Sequence, residues 1–463
     1  MKKILLFSYN PVPTEQYTTV EGSALRFWRM AQAIRSESKD YDITIAIWEK
    51  FNQECNESQG IKITSFDADP NHLKQLAQGY DCVIFSCAMG GLSRTIFDSI
   101  GRGTQIIIDA YSPMYVEFLT KSLDAKADVE LLEHYYGYVE AFNYCLVRAD
   151  KILVANSSQK HFYRGVLGGI GALPHHDDSR FVELPAFVEY DSQVNKNVGS
   201  IKDKVEVLWF GGVYPWFDIE DLILAFSDKE IIKLANLKIV GGSNPFYPKD
   251  NVRYNGKYMN AVAMSKKLGL KDKNIFFDDW VEYNNRIDKI NAADVAISIN
   301  NDFIENEYSF RLRVADLVGN CVPLITNGGD VLGEWLIDEG VAFKIDLSSP
   351  DKLKASLKKV LENKRALIDA RKKLHTTKLG ERLHINWYIS RLTEAMSDIN
   401  NRGASRDNKA FDGVQQVGSS EYFPKSINIH QMSNVSTSNL LRVTARRLSN
   451  ATKSKAKNIL HKR

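Results

Sequence analysis

The stretch VEVLWFGG, residues 205–212, decides the reading of the fold. Val205–Phe210 is short, dominated by Val, Leu, Trp and Phe, and stops on Gly211-Gly212. A brief apolar run closed by glycine predicts a strand buried on both faces, as in a parallel sheet covered by helices. The pattern recurs downstream. Leu237–Val240 ends on Gly241-Gly242, and Val322–Thr326 runs into Gly328-Gly329. Asn274–Phe277 and Val295–Ile299 supply two more strand candidates, with helical segments between them. One glycine pair after a strand describes no more than a turn. Three of them at strand ends of one unit point to a common crevice, where backbone N–H groups approach a phosphate closely.

Upstream the alternation is the same. Lys3–Phe7, Asp42–Ile47, Ile61–Ser65, Cys82–Ser86, Gln105–Ile108 and Ile152–Ala155 read as strands. Ala24–Ile34 reads as a helix, with Leu25, Trp28, Met30 and Ile34 toward one side. The polar stretch Asp191–Lys204 separates the two series. A chain of 463 residues suggests two or three domains, since single cores rarely grow beyond about 250–300 residues. The expected architecture is α/β, with two doubly wound Rossmann-like domains, residues 1–190 and 205–375, facing across a cleft. Ligand sites in such folds lie at the carboxyl ends of the strands. Leu353–Leu361 has helical spacing, and Asn386–Met396 reads as a last helix in a segment, 376–400, expected to pack back on the body. Residues 401–463 read as a flexible basic tail, rich in Ser, Asn, Gln and Gly over its first part.

A hydrophobic content of 44% with 25% charged residues is ordinary for a globular chain. The five cysteines are odd in number and form no CxxC pair, so buried reduced thiols are expected. Met1-Lys2-Lys3 precedes only four strongly apolar residues, Ile4 to Phe7, too few for a secretory signal. No apolar run approaches the roughly 18 residues that a membrane span needs. The charge is unevenly placed. Tyr422–Arg463 holds nine Lys or Arg and no Asp or Glu, while the rest of the chain is mildly acidic. Leu441, Ala445, Leu448 and Thr452 repeat at helical spacing among Arg442, Arg446, Arg447 and Lys453. The Arg442–Arg463 segment therefore reads as a basic amphipathic helix for an anionic membrane surface; the alternative is a solvated basic tail. A nucleic-acid partner is disfavoured, because the body is acidic and the tail lacks interleaved aromatics.

The densest cluster of chemistry is ENEYSFRLRVAD, residues 305–316. Arg311 and Arg313 suit bidentate binding of a diphosphate; the same charges equally describe a structural ion-pair knot. Neither GxGxxG nor a P-loop is present, which removes support for dinucleotide oxidoreductase and NTPase readings. Asp67-Ala68-Asp69 is a DxD, a triplet common by chance, and His175-His176-Asp177-Asp178 reads as an inter-strand loop. No metal set is assembled from either.

The stretch YSFRLRVADLVGNCVPLITNGGD, residues 308–330, resembles the FSFRTRxxDxLWAGLPVVxTxGD segment of a branch of bacterial GT-B glycosyltransferases related to glycosyltransferase family 4. Other segments agree in order. EGSALRFWRMAQAI is similar to GPGIRxWELARAL, and IIIDAYSPMYVE to VVVDLYDPxxLE. LWFGGVYPWFDIEDLILAF resembles LWGGGxYDWFDPLTLIRAV, and NIFFDDWVEYNNRIDKINAADVAIS resembles VFFNxGWVPYxxRxxYLLDADVGVS. The likeness covers roughly residues 22–346. It departs at Val213, where many family members carry a phosphate-binding Arg, and at Tyr308, which stands in place of the first of a pair of glutamates whose second position is Asp316.

The resemblance implies a GT-B fold and glycosyl transfer from a nucleotide-sugar donor to a glycan or lipid-linked acceptor. It also implies retention of anomeric configuration, and the reading of the cluster needs neither metal nor cofactor. Residue by residue, Asp316 matches the carboxylate for the donor ribose, and Arg311 and Arg313 match the diphosphate partners. Glu305 matches the acid ahead of the arginines, expected to contact the donor sugar or an Arg. Gly211, Gly212, Trp216 and Asp218 match the loop near the sugar phosphate, and Gly328, Gly329 and Asp330 the last glycine loop. Gly22 and Ser23 match the N-domain loop facing the donor. Asp109 matches an acid at the inner edge of the N-domain, for acceptor contact or acid/base work; the alternative is a helix-cap or loop carboxylate. The expected setting is the cytoplasm, with the tail on the inner leaflet, in bacterial surface polysaccharide assembly. Two rival readings use the same fold: a nucleotide-sugar epimerase, and a catalytically silent scaffold.

Overall fold

The computed structural model describes residues 1–15, 17–51, 57–124, 129–172, 179–189, 199–301, 303–376 and 383–397. The His175–Asp178 cluster, Cys55 and the whole Arg442–Arg463 segment lie outside them. Two sheets organise the chain. The first holds β1 (Lys2–Ser8), β2 (Tyr41–Trp48), β3 (Glu57–Ser58), β4 (Ile61–Phe66), β5 (Cys82–Ser86), β6 (Gln105–Asp109), β7 (Lys151–Val154) and β8 (Phe181–Glu183), in the spatial order β3-β4-β2-β1-β5-β6-β7-β8. All its pairings are parallel except β3 with β4. The second holds β9 (Val205–Phe210), β10 (Ala235–Val240), β11 (Ile275–Asp278), β12 (Val295–Ser298), β13 (Leu324–Thr326) and β14 (Ala342–Lys344), in the order β11-β10-β9-β12-β13-β14, all parallel.

Helices cover both faces of each sheet, which is why the central strands are buried over most of their length. In β1 every residue from Ile4 to Phe7 is at most 1% exposed, and a strand with no solvent face has no polar alternation. The order reverses direction between β1 and β5 and between β9 and β12. A crevice opens at such a switch point, at the carboxyl ends of the strands. The loops after β1, β9 and β10 therefore meet there.

The helix Gly22–Glu37 follows β1 and is buried along much of its length by Leu25, Phe27, Trp28, Met30 and Ile34. The helix Ile385–Ser397 returns to the first sheet after the second is complete. Its Tyr388, Leu392, Ala395 and Met396 share a core with Trp28, Met30 and Ile34, and Gln105 Nε2 donates to the Ala395 carbonyl at 2.9 Å. The expected strand Val322–Thr326 is shorter than its apolar run. Cys321 has φ +57°, and the chain becomes extended only at Leu324. Cys82, Cys87, Cys145 and Cys321 are buried. Among the described residues, no helix is long and apolar enough to cross a membrane.

Candidate functional site

The two sheets belong to one compact unit, and a cavity of about 380 Å³ lies between their carboxyl ends. That is within the usual range for a small-molecule site, about 300–1,000 Å³. The first domain contributes Val20, Glu21, Gly22, Ser23, Leu25, Tyr111 and Glu117; the second contributes Gly211, Gly212, Tyr214, Trp216, Gly241, Asn244, Glu305, Arg311, Arg313 and Asp316.

Arg313 sets the character of this cleft. Its helix, Leu312–Gly319, starts at the cavity wall. The guanidinium packs on the loop after β9, where Nη1 donates to the Gly212 carbonyl at 2.9 Å. It sits 4.9 Å from the Phe217 ring centroid and 5.9 Å from that of Tyr214. Among the described residues it has no carboxylate partner. Burial, with neighbouring Arg311 adding to it, pulls its pKa down to about 10, so it stays a cation at neutral pH. A half-buried cation with no acid partner is partly stripped of water at a cost, and this favours an anion in the cavity. Gly211 makes the packing possible. It lies at φ +93°, and a Cβ there would come within 3.2 Å of the guanidinium carbon.

Arg311 stands two residues away in a different state. Its Nη2 pairs with Glu305 Oε2 at 2.8 Å and bonds Asn306 Oδ1 at 3.1 Å. Glu305, 1% exposed, also accepts from Asn300 Nδ2 at 2.5 Å. Of the two arginines, one is thus neutralised in a knot and the other is not. The same geometry gives Glu305 the role of holding Arg311.

A second anion-favouring feature comes from the other domain. Gly22 and Ser23 open a 16-residue helix at the cavity. Its first turn holds no acidic residue and, among the described residues, its N-cap position makes no side-chain capping bond, so its N–H groups and dipole favour negative charge. Glu21 precedes it. Its carboxylate accepts from the Asn10 amide of its own domain and from the Asn244 amide after β10, and so bridges the cleft. Sequence reasoning gave no role to Glu21 or Glu117, although one opens and the other closes a segment quoted for the resemblance; the convergence of distant loops brings them to the cavity. The cavity wall also holds Trp280, Tyr283 and Arg286.

Asp316 lines the cavity but is not free. It forms an ion pair with Arg29 of the helix Gly22–Glu37, and Arg286 Nε lies 3.9 Å away. Arg29 also bonds Glu189 at 3.0 Å. Trp216 lines the cavity and stacks on Tyr214, with ring centroids 5.0 Å apart.

Other expected site residues stand elsewhere. Asp109 is 5% exposed, and both its oxygens accept from Arg26, Nε and Nη2 each at 2.9 Å. Arg26 in turn covers the Tyr111 ring at 3.9 Å and donates to the Leu184 carbonyl. Asp109 is absent from the cavity wall, and its carboxylate is committed to a structural pair. Asp218 ends the loop after β9, 8% exposed, as the N-cap of the helix Ile219–Ala225, and it too is absent from the wall. Gly328, Gly329 and Asp330 sit behind Glu305. The Gly328 carbonyl accepts from Asn306, Gly329 N–H donates to Glu334, and Asp330 caps the helix Val331–Asp338 by accepting from Gly333 N–H at 2.8 Å. The third glycine pair is therefore a helix-entry turn, not a wall of the cavity. Tyr308 turns toward the first domain, its ring 4.8 Å from that of Phe162. In the DxD, Asp67 accepts from Asp69 N–H and pairs with His72, while Asp69 caps the helix Pro70–Ala77.

No family model matches the chain, and no curated protein matches it. Solved structures do. The sucrose-phosphate synthase of Thermosynechococcus elongatus aligns with 91% of this chain and 100% of its own at TM-score 0.59 and 13% identity. WaaG, a glycosyltransferase involved in lipopolysaccharide biosynthesis, aligns with 86% of this chain and 99% of its own at TM-score 0.57 and 16% identity. HepE of Anabaena, solved in complex with UDP-glucose, aligns with 86% of this chain and 100% of its own at TM-score 0.59 and 10% identity. At such identities the likeness is one of architecture: the chain has the GT-B fold, two Rossmann-like domains around one cleft.

Proposed function

We propose that this protein is a glycosyltransferase that holds a nucleotide-sugar donor in the cleft. The observation that carries the reading is Arg313, a half-buried guanidinium at the cavity wall with no acid partner among the described residues. A diphosphate supplies the negative partner that Arg313 lacks among the described residues. In transfer, the bond from the sugar to the diphosphate breaks and negative charge grows on the departing nucleotide. Arg313 and the N-terminus of the helix Gly22–Glu37 are placed to stabilise that charge before it develops. Such preorganised stabilisation needs no divalent ion, and the reading is of metal-independent transfer. Asp316 is the proposed ribose contact.

The finer reading is a bacterial enzyme that transfers with retention to a glycan or lipid-linked acceptor during surface polysaccharide assembly. It rests on the sequence resemblance, with WaaG as a structural neighbour named for lipopolysaccharide biosynthesis. The Arg442–Arg463 segment carries, on sequence grounds, the proposal of docking to an anionic membrane face. Its test is salt-sensitive co-sedimentation with anionic vesicles, lost on truncation after Asn439.

The test of the function is a panel of nucleotide sugars offered to the full-length protein in EDTA, with nucleoside diphosphate release measured. One donor consumed, and consumption lost in Arg313→Ala, is expected. Binding without transfer or hydrolysis, with every acceptor class, would instead describe a silent scaffold.

A further inference from the structure

The segment that carries both arginines is held by the opposite domain. Gln159, 0% exposed on the helix Ser157–Gly169, donates from Nε2 to the Tyr308 carbonyl at 2.6 Å. Tyr111, after β6, donates its hydroxyl to the Phe310 carbonyl. These carbonyls alternate along Tyr308–Phe310, immediately before Arg311. The two donors are themselves coupled, because Gln159 Nε2 also bonds the Tyr111 carbonyl. Gln159 Oε1 is fixed by Ala155 N–H at 2.7 Å. Ring contacts reinforce the junction, Phe162 with Tyr308 and Tyr111 with Phe310. Arg26, locked on Asp109, packs over the Tyr111 ring.

We propose that Tyr111 and Gln159 are positioning residues that aim Arg313 at the donor diphosphate by clamping the carbonyls of Tyr308 and Phe310 from the first domain. The proposal rests on the donor-site reading above. Its physical basis is that a buried carbonyl without a donor is costly, so the segment holds its path only while the first domain supplies both donors. Arg313 then reaches the Gly212 carbonyl and the cavity. The clamp also makes the donor site a property of the two domains together, although the arginines belong to one. Asp109 and Arg26 act in this chain at one remove, by fixing the Tyr111 ring.

The experiment uses the full-length protein and calorimetry with uridine, adenosine, guanosine and cytidine diphosphates. Tyr111→Phe keeps the ring and loses the hydroxyl. Its expected effect is about tenfold weaker binding of the nucleotide that the wild type binds, with a higher donor KM and little change in kcat at saturation. Hydrogen exchange across residues 309–313 is expected to speed up in the same variant. If the wild type binds a nucleotide and Tyr111→Phe binds it equally, with exchange unchanged, the positioning role is wrong. If the wild type binds none of the four, the donor-site reading itself fails, and exchange still reports on the clamp. A variant with lower thermal stability but unchanged affinity would make the contact structural only and would also overturn the proposal.

Discussion

The guanidinium of Arg313 rests against Gly211, and a single added methyl group would separate them. The Cβ of Gly211→Ala would stand 3.2 Å from the Arg313 Cζ, at a backbone φ of +93°. A left-handed conformation costs an ordinary residue about 1–2 kcal/mol. The expected outcome is that loss of stability in chemical denaturation, together with weaker nucleotide binding because the added methyl group displaces the Arg313 guanidinium. A variant that loses stability but keeps full affinity would show that the contact does not set the aim of Arg313.

The two arginines should fail in different ways. Arg311→Ala leaves Glu305 buried and uncompensated, which costs about 3–5 kcal/mol in comparable buried pairs. Arg313→Ala strands no acid. It is expected to fold with near wild-type stability and to lose about 1.5–3 kcal/mol of diphosphate binding, the range for hydrogen bonds to charged groups. Denaturation and calorimetry on the two variants give opposite rankings if this is right.

Asp109 separates a structural acid from a catalytic one. Asp109→Asn weakens a bidentate pair with Arg26 in a site 5% exposed. A loss of about 3 kcal/mol or more in stability is expected, with turnover of the folded fraction close to wild type in kcat. A stable variant with turnover abolished would return Asp109 to acid/base work.

Asp218 gives a pH signature of its own. Burial, with Asp221 adding to it, pushes its carboxyl up to about 6. The folded state therefore holds a proton that the unfolded state has already released, and stability falls as pH rises from about 4 to about 6. Asp218→Asn removes that decline. Its advantage over wild type is expected to grow across this window by roughly 1–3 kcal/mol, at 1.36 kcal/mol for each pK unit. Equal pH profiles for the two proteins in urea denaturation would contradict it.

The sheets were legible because their strands are dominated by buried apolar residues. Cys82–Ser86 and Val205–Phe210 are strands over the same residues that their apolar runs mark. The short edge strands Phe181–Glu183 and Ala342–Lys344 were not, since three residues carry no period. In the site, the sequence marked Arg311 and Arg313 together, and their spacing gave no means of telling them apart. What separates them is Glu305, which reaches Arg311 and not Arg313. Asp109 and Asp218 sit at strand ends and loops where ligand contacts are common, yet Arg26 takes up one and burial at a helix N-cap, away from the cavity wall, removes the other. Gly328-Gly329 looked like the other glycine pairs, but its neighbours Asn306 and Glu334 fill the space where a phosphate would sit.

The central claim is that the cleft binds a nucleoside diphosphate through Arg313. Titration calorimetry of the full-length protein with uridine, adenosine, guanosine and cytidine diphosphates in EDTA, repeated with Arg313→Ala, tests it most directly. One-site saturation by at least one nucleotide is expected, undiminished by chelation, with at least tenfold weaker binding in the variant. No binding of any of the four at millimolar concentration, or equal binding by wild type and Arg313→Ala, would contradict it.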